Sequence, residues 1–317
     1  MRVLRCLLIV LAASVCVVPG SSLSPIAAAQ TPAAPAPAPQ AQAAGRTLRI
    51  IAFGAHPDDA ELKFAGTATM FAAQGHKVKL VALTNGDIGH FSQAGGPLAQ
   101  RRKAEVEACH AKLGVSTEVL DIHDGELMAD LETRKKVANL IRDWQADIVL
   151  SHRPWDYHPD HRAVGELAED AAVVVAAPYF APYTPPTRGN PIFLFYSDNF
   201  KKPYPFDPIL AVGIDEVADK KWDCISSMPS QFGDADSWQA RYGRNVPADE
   251  AGRKAFLIEN VKRRGEDVAN QYRNLLLQLY GEQKGRGIKY AEVFELNQYG
   301  SAATVDQLKA LFPTFAR

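Results

Sequence analysis

Two short stretches of the chain carry residues able to do chemistry at ligand spacing. The first is His56-Pro57-Asp58-Asp59-Ala60-Glu61 and the second is His158-Pro159-Asp160-His161. His158 and His161 are three residues apart, so a helix starting there presents both imidazoles on one face. Two imidazoles and a carboxylate around a cation with an open position suit a zinc site for hydrolysis. Such an ion lowers the pKa of a water it holds to roughly 7 and polarises a carbonyl. Asp58 and Asp59 open a helix, where the positive end of the helix dipole favours ionised carboxylates. Successive helical residues point about 100° apart, so one aspartate can ligate a cation while the other faces a bound water. Taken singly, a strand-ending Asp-Asp is also a common helix N-cap, and a His-x-x-His pair also occurs as unrelated surface histidines. The two motifs mean more together than apart.

Something must bring stretches a hundred residues apart to one place, and the pattern of elements supplies it. Apolar, strand-length runs cover Leu48–Ala55, Val78–Thr84, Glu118–Ile122, Ile148–Ser151 and Ile192–Tyr196. Helical spacing covers Asp59–Gln74, Pro97–Leu113, Asp130–Gln145 and Asp160–Val175 between them. Pro97 lies near the start of the second helix and Gly114 just past its end. Strands alternating with helices of this length predict an α/β fold, a Rossmann-like, mostly parallel sheet with helices on both faces. Further helices are expected over Asp215–Ser227 and Ala248–Tyr280, a last edge strand over Tyr290–Leu296, and loop through the Pro-rich stretch 178–208. Ligands of open α/β sheets bind beyond the carboxyl ends of the strands. That rim collects His56, Asp58 and Asp59, then Asn85 and Asp87, then Asp121, His123 and Asp124, then His152, Asp156, His158, Asp160 and His161.

Composition sets outer bounds. The 317 residues are 47% hydrophobic and 22% charged, with a formal net charge of −1 and no basic tract. Bulk attraction to nucleic acid or an anionic membrane is not indicated. Arg2 and Arg5, the apolar run Leu7–Ala13 and the small residues Ala27-Ala28-Ala29 form a secretory signal pattern, with cleavage expected after Ala29. The run is short for a bilayer span, so no membrane span is expected in the mature chain. Residues 30–46 are a Pro/Ala-rich linker tending to polyproline II, and 47–317 form the folded domain. The expected location is periplasmic or extracellular. Only Cys109 and Cys224 remain in the mature chain; one disulfide and a buried free thiol at Cys109 are both compatible with that.

Ala55-His56-Pro57-Asp58-Asp59-Ala60-Glu61 together with His158-Pro159-Asp160-His161 resembles the LmbE/PIG-L family of zinc-dependent N-acetylglucosamine deacetylases. The resemblance runs over about Arg49–Ala172, and more weakly to Leu296. It implies that His56, Asp59 and His161 ligate zinc, with iron(II) tolerated by the same donors. It implies Asp58 as general base and His158 as the group that stabilises the oxyanion or protonates the leaving amine. Asp160 would then accept a hydrogen bond from His158 and favour its charged form. Arg102 matches a sugar-contacting arginine, although adjacent Arg101 leaves that register open, and Asp124 lies near a position that contacts a substrate hydroxyl. The implied substrate is a small molecule or glycan bearing an N-acetyl group. Leu62-Lys63-Phe64-Ala65-Gly66 departs from the Ile-Gly and Gly-pair continuation of many relatives, and Lys63 is expected to put a charge near the site entrance. The family's thiol-cofactor deacetylases are cytosolic, which an export signal does not suit.

Other readings stay open on the sequence: an amidase acting on a non-sugar amide, or an exported carbohydrate- or metal-binding protein without catalysis. A nucleotide-binding domain would want Gly-x-Gly-x-x-Gly after the first strand, where the chain has Gly54-Ala55-His56-Pro57-Asp58-Asp59. His76, His90, His110 and His152 show no partners at ligand spacing, and His110 is expected on a helix surface. Trp155 and Tyr157 could stack on a sugar face or simply pack. Asp198 ends a strand at the rim and is a further candidate for substrate contact.

Overall fold

The computed structural model describes residues 46–243 and 245–315. The expected signal and nearly all of the linker fall outside these residues. Seven strands form one sheet: β1 (Arg49–Gly54), β2 (Lys77–Ala82), β3 (Ser116–Val119), β4 (Ile148–Ser151), β5 (Ile192–Tyr196), β6 (Leu210–Gly213) and β7 (Ala291–Leu296). Their order across the sheet is β3-β2-β1-β4-β5-β7-β6. The first five are parallel, whereas β7 runs antiparallel to both β5 and β6.

The helices are α1 (Asp59–Ala73), α2 (Gly95–Leu113), α3 (Leu131–Trp144), α4 (Pro159–Val174) and α5 (Ala218–Ile225), the last preceded by a 3₁₀ turn. Short α6 (Pro229–Phe232) and α7 (Trp238–Tyr242) lead into long α8 (Glu250–Gln271). Then come α9 (Arg273–Tyr280), α10 (Glu282–Gly287) and α11 (Val305–Leu311). Neighbouring residues of a strand point to opposite faces, and the core divides accordingly. Ile50, Ala52, Leu80 and Leu150 pack with Phe64, Phe71 and Phe294 on one face; Ile51, Phe53, Val81 and Val149 pack with Val137, Ile141, Val164 and Leu167 on the other. Strands buried on both faces explain their continuous apolar runs.

This is the mostly parallel sheet with helices on both faces that the alternation predicted, with two differences. Tyr290–Leu296, expected as an edge strand, is internal: β7 is hydrogen-bonded on both sides. The true edge is β6, four residues long and just beyond the Pro-rich stretch, too short to announce itself by periodicity. The expected long helix Ala248–Tyr280 is divided into α8 and α9 at Tyr272.

From β1 the chain builds outward through β2 to β3, then returns to place β4 on the other side of β1. The crevice where the direction reverses lies beyond the carboxyl ends of β1 and β4. Those two ends carry the His56 and His158 motifs. Off the rim, Cys109 of α2 and Cys224 of α5 are joined as a disulfide with Cα atoms 4.1 Å apart.

Candidate metal centre and active-site cavity

The loop from β1 into α1 is tight. Asp59 Oδ2 accepts hydrogen bonds from the backbone N–H groups of Ala55 (3.0 Å) and His56 (2.8 Å), which folds its carboxylate back over the strand end. A Cβ at Gly54 would come 2.9 Å from the Asp59 Cβ, so only glycine admits this return. Across the crevice Pro159 begins α4 and His158 caps it, with Nδ1 accepting from Asp160 N–H at 3.2 Å.

Three groups then converge. His56 Nδ1 lies 3.3 Å from Asp59 Oδ2, His161 Nε2 lies 3.3 Å from Asp59 Oδ1, and the two imidazole nitrogens are 3.3 Å apart. A tetrahedral ion with bonds of about 2.0–2.2 Å spaces its donors roughly 3.3–3.5 Å apart. The donor set and its spacing therefore fit a divalent cation.

The outer nitrogens strengthen the fit. His161 Nδ1 is 3.2 Å from Asp156 Oδ1, and His56 Nε2 is 3.2 Å from Asp160 Oδ2 and 3.1 Å from Asp124 Oδ1. Carboxylates holding the outer N–H of each ring leave the inner nitrogen as a lone-pair donor, the usual support for metal-ligating histidines. Burial works against ionisation of Asp59, but His161 and His152 outweigh it and hold the carboxyl well below the ordinary range.

Asp58 stands beside this cluster. Burial pushes its carboxyl up to about 7, against the pull of Arg102 and with repulsion from Asp59. Arg102, only 2% exposed, donates to Gly86 O (3.0 Å) and Pro57 O (3.2 Å) and lies 3.5 Å from Asp58 Oδ1 and 3.7 Å from Asp124 Oδ2. Arg101 turns outward to Glu105 and Asp234, so of the two adjacent arginines Arg102 is the one at the cavity. Gly86 has φ +70°, and any Cβ there would strike the Arg102 guanidinium. Asp124 lines the cavity, but its oxygens are engaged by His56 and Arg102.

Several expectations need correcting. Asp160 does not accept a hydrogen bond from the His158 side chain. Its carboxylate is fully buried and faces the other way, bonded by His56 Nε2 and the N–H groups of Gly125 (2.7 Å) and Leu127 (3.3 Å). Nor is His158 pushed towards its charged form: burial, then His56 and His161, hold it below the ordinary imidazole value. Lys63 is not at the entrance; it donates to Ser197 O at 2.8 Å. Asp198 pairs with buried Arg153 at 3.0 Å and caps Phe200 N–H. His110 is buried, between Glu61 and the Thr117 hydroxyl.

His152, which has no partner at ligand spacing along the chain, and Asp156, a rim residue without an expected role, both belong to the site. His152 Nε2 is 3.3 Å from Asp59 Oδ2, and its ring stacks on His161 with centroids 4.1 Å apart. The signal available in the sequence was position alone, immediately after β4. Of the aromatic pair around the second motif, Tyr157 is 72% exposed, lines the cavity and packs edge-on to His158 and His161, while Trp155 packs on Tyr204.

The cavity is about 900 Å³. Its lining includes His56, Asp58, Asp59, His158 and His161 together with Phe232, Trp238, Tyr242, Phe256, Arg263 and Arg264.

The chain is similar to known proteins in sequence and in fold. Residues 51–172 match the family model described as PIG-L: GlcNAc-PI de-N-acetylase. The chain is 33% identical over 138 residues to diacetylchitobiose deacetylase of Thermococcus kodakarensis, covering 42% of this chain and 52% of that protein. It therefore spans about half the length of that curated relative. It is also 27% identical over 189 residues to 4-oxalmesaconate hydratase of Pseudomonas putida, covering 57% of this chain and 73% of that one. In fold it is similar to N,N'-diacetylchitobiose deacetylase from Pyrococcus horikoshii, with a TM-score of 0.61 at 24% identity over 79% of this chain and 84% of that one. The segment bearing both motifs, most of β1 and the strands β2–β4 is thus the part of the chain that is similar to the PIG-L/LmbE family.

Proposed function

We propose that the chain is a metal-dependent N-deacetylase acting on an N-acetylglucosamine-type amide, with zinc as the metal and iron(II) accepted by the same donors. The observation that carries this reading is the triangle of His56 Nδ1, the Asp59 carboxylate and His161 Nε2 at 3.3 Å separations, with Asp58 beside it in one cavity. The family match over residues 51–172 and the names of the relatives support the amide and the sugar.

A bound zinc ion would supply Lewis acidity, activating water near neutral pH and polarising the amide carbonyl. The protein's own groups do the rest. Asp58, held up to about 7 by burial, takes a proton from the attacking water. His158 Nδ1 accepts from Asp160 N–H, which leaves the ring proton of the neutral imidazole on Nε2. That proton is the donor for the amide oxygen as negative charge develops there. Either Asp58 or His158 then returns a proton to the leaving amine. Arg102 and Asp124 hold the floor of the cavity around Asp58 and His56.

Acetate release from N,N'-diacetylchitobiose and other N-acetylated amino sugars, with chelator and with zinc added back, tests this. Release abolished by chelator and restored by zinc is expected. Activity indifferent to chelator, or no release from any N-acetyl substrate, overturns it. A second reading, addition of water across a double bond, is favoured by the similarity to the hydratase. It predicts metal-dependent loss of a conjugated chromophore with no acetate released.

We further propose that the chain acts after export. Arg2, Arg5, Leu7–Ala13 and Ala27–Ala29 support this, as does the Cys109–Cys224 disulfide, a bond typical of oxidising compartments.

A further inference from the structure

His152 follows β4 directly and, unlike His56, Asp59 and His161, does not line the cavity. It is buried, with its ring stacked on His161 at 4.1 Å and 17° between the planes, and edge-on to Tyr196 at 5.5 Å. The stack presents two ring nitrogens to one carboxylate. His161 Nε2 is 3.3 Å from Asp59 Oδ1, and His152 Nε2 is 3.3 Å from Asp59 Oδ2.

Despite that closeness, His152 Nε2 is buried with no hydrogen-bond partner among the described residues. Asp59 Oδ2 already accepts from the N–H groups of Ala55 and His56, at 3.0 and 2.8 Å, which occupies its two lone pairs. Buried polar atoms are nearly always satisfied, and one that is not calls for an explanation such as a bound ion. A ring nitrogen with no acceptor in line has a lone pair to give a cation. Asp59, His152 and His161 offer one carboxylate oxygen and two ring nitrogens within 4.8 Å of one another. Asp156, 3.2 Å from His161 Nδ1, leaves the His161 Nε2 lone pair as the donor.

We propose that Asp59, His152 and His161 form a second donor set for a divalent cation of the zinc class, sharing two ligands with the set of His56, Asp59 and His161. The two sets hold one ion alternately, because His161 Nε2 has a single lone pair to give. The ion then has a second position that keeps it bound when His56 is withdrawn. This rests on the reading of His56, Asp59 and His161 as ligands, and not on which reaction the ion serves.

The test is a double-variant cycle of His56→Ala and His152→Phe, read by zinc content from elemental analysis and by zinc affinity in competition with a fluorescent chelator. Phenylalanine keeps a ring against His161 and removes the nitrogen. The wild type and His56→Ala should each hold about one equivalent of zinc, and the double variant should hold none. His152→Phe should weaken zinc binding by less than about threefold while His56 is present, and by about tenfold or more when it is absent, as coupled sites do. A role for His152 in packing alone predicts the same loss in both backgrounds, and that result overturns the proposal. Circular dichroism checks the fold of each variant, with His56→Asn taking the place of an alanine variant that does not fold. Anomalous diffraction from zinc-loaded His56→Ala crystals needs no change at His152. It should place the ion about 2.0–2.1 Å from His152 Nε2, and an ion held away from that nitrogen overturns the second set. A wild type that binds no zinc overturns the metal reading itself. Zinc-loaded wild type beside zinc-free, folded His56→Ala overturns only the second set.

Discussion

Asp160 Oδ2 lies 3.2 Å from His56 Nε2, on the side of the ring away from His161 and Asp59. A residue of the second motif therefore orients a ligand supplied by the first. Its carboxylate has no contact with solvent, and two backbone N–H groups hold it in place. Asp160→Asn should leave the fold intact and weaken metal affinity by about 10–100-fold, as removal of an outer carboxylate partner does. Zinc competition against a fluorescent chelator measures this. Unchanged affinity would remove Asp160 from the metal site's support.

Asp58 and His161 separate chemistry from binding. Asp58→Asn should retain metal and lose about 10²–10⁴-fold in kcat, the usual worth of a positioned base. His161→Ala should lose stoichiometric zinc by elemental analysis. A fully loaded His161→Ala protein would overturn the assignment of His161 as a ligand.

A buried ion pair braces α1 from behind. Lys221 Nζ is 2.7 Å from Glu292 Oε1 and donates to Leu62 O at 2.8 Å, while Glu292 accepts from the N–H groups of Gly66 (2.9 Å) and Thr67 (2.8 Å). Removing one partner strands the other charge in the core. Lys221→Met should therefore cost about 3–5 kcal/mol in denaturant unfolding, and Lys221→Met with Glu292→Gln less than the sum of the singles. Strict additivity would mean that the pair is not coupled.

The Cys109–Cys224 bond closes a loop across 115 residues between α2 and α5. Cys109→Ala or reduction should lower stability by about 2–5 kcal/mol, read as a fall in Tm. An identical Tm with and without reductant would show the thiols unpaired in solution.

Much of this protein was legible from sequence because its signals are local. The apolar runs at Ile148–Ser151 and Ile192–Tyr196 coincide with β4 and β5, since a strand buried on both faces needs an unbroken apolar run. The two His-Pro-Asp motifs fall at strand-to-helix junctions for equally local reasons: Pro159 favours a first helical turn, and Gly54 permits the sharp return of Asp59. What the tertiary structure decided are the pairings between distant segments. Spacing along the chain says that His158 and His161 share a helix, but not that Asp160 turns away from His158 towards His56, 104 residues earlier. It does not say that Asp156 backs His161, that Asp198 belongs to Arg153, or that β7 slides between β5 and β6. Direction within a turn is set by packing and by which buried donors need acceptors, and those donors arrive from elsewhere in the chain. The cavity lining is the extreme case. Trp238, Tyr242, Arg263 and Arg264 carry no motif, and only the return of α7 and α8 over the crevice makes them neighbours of the metal centre.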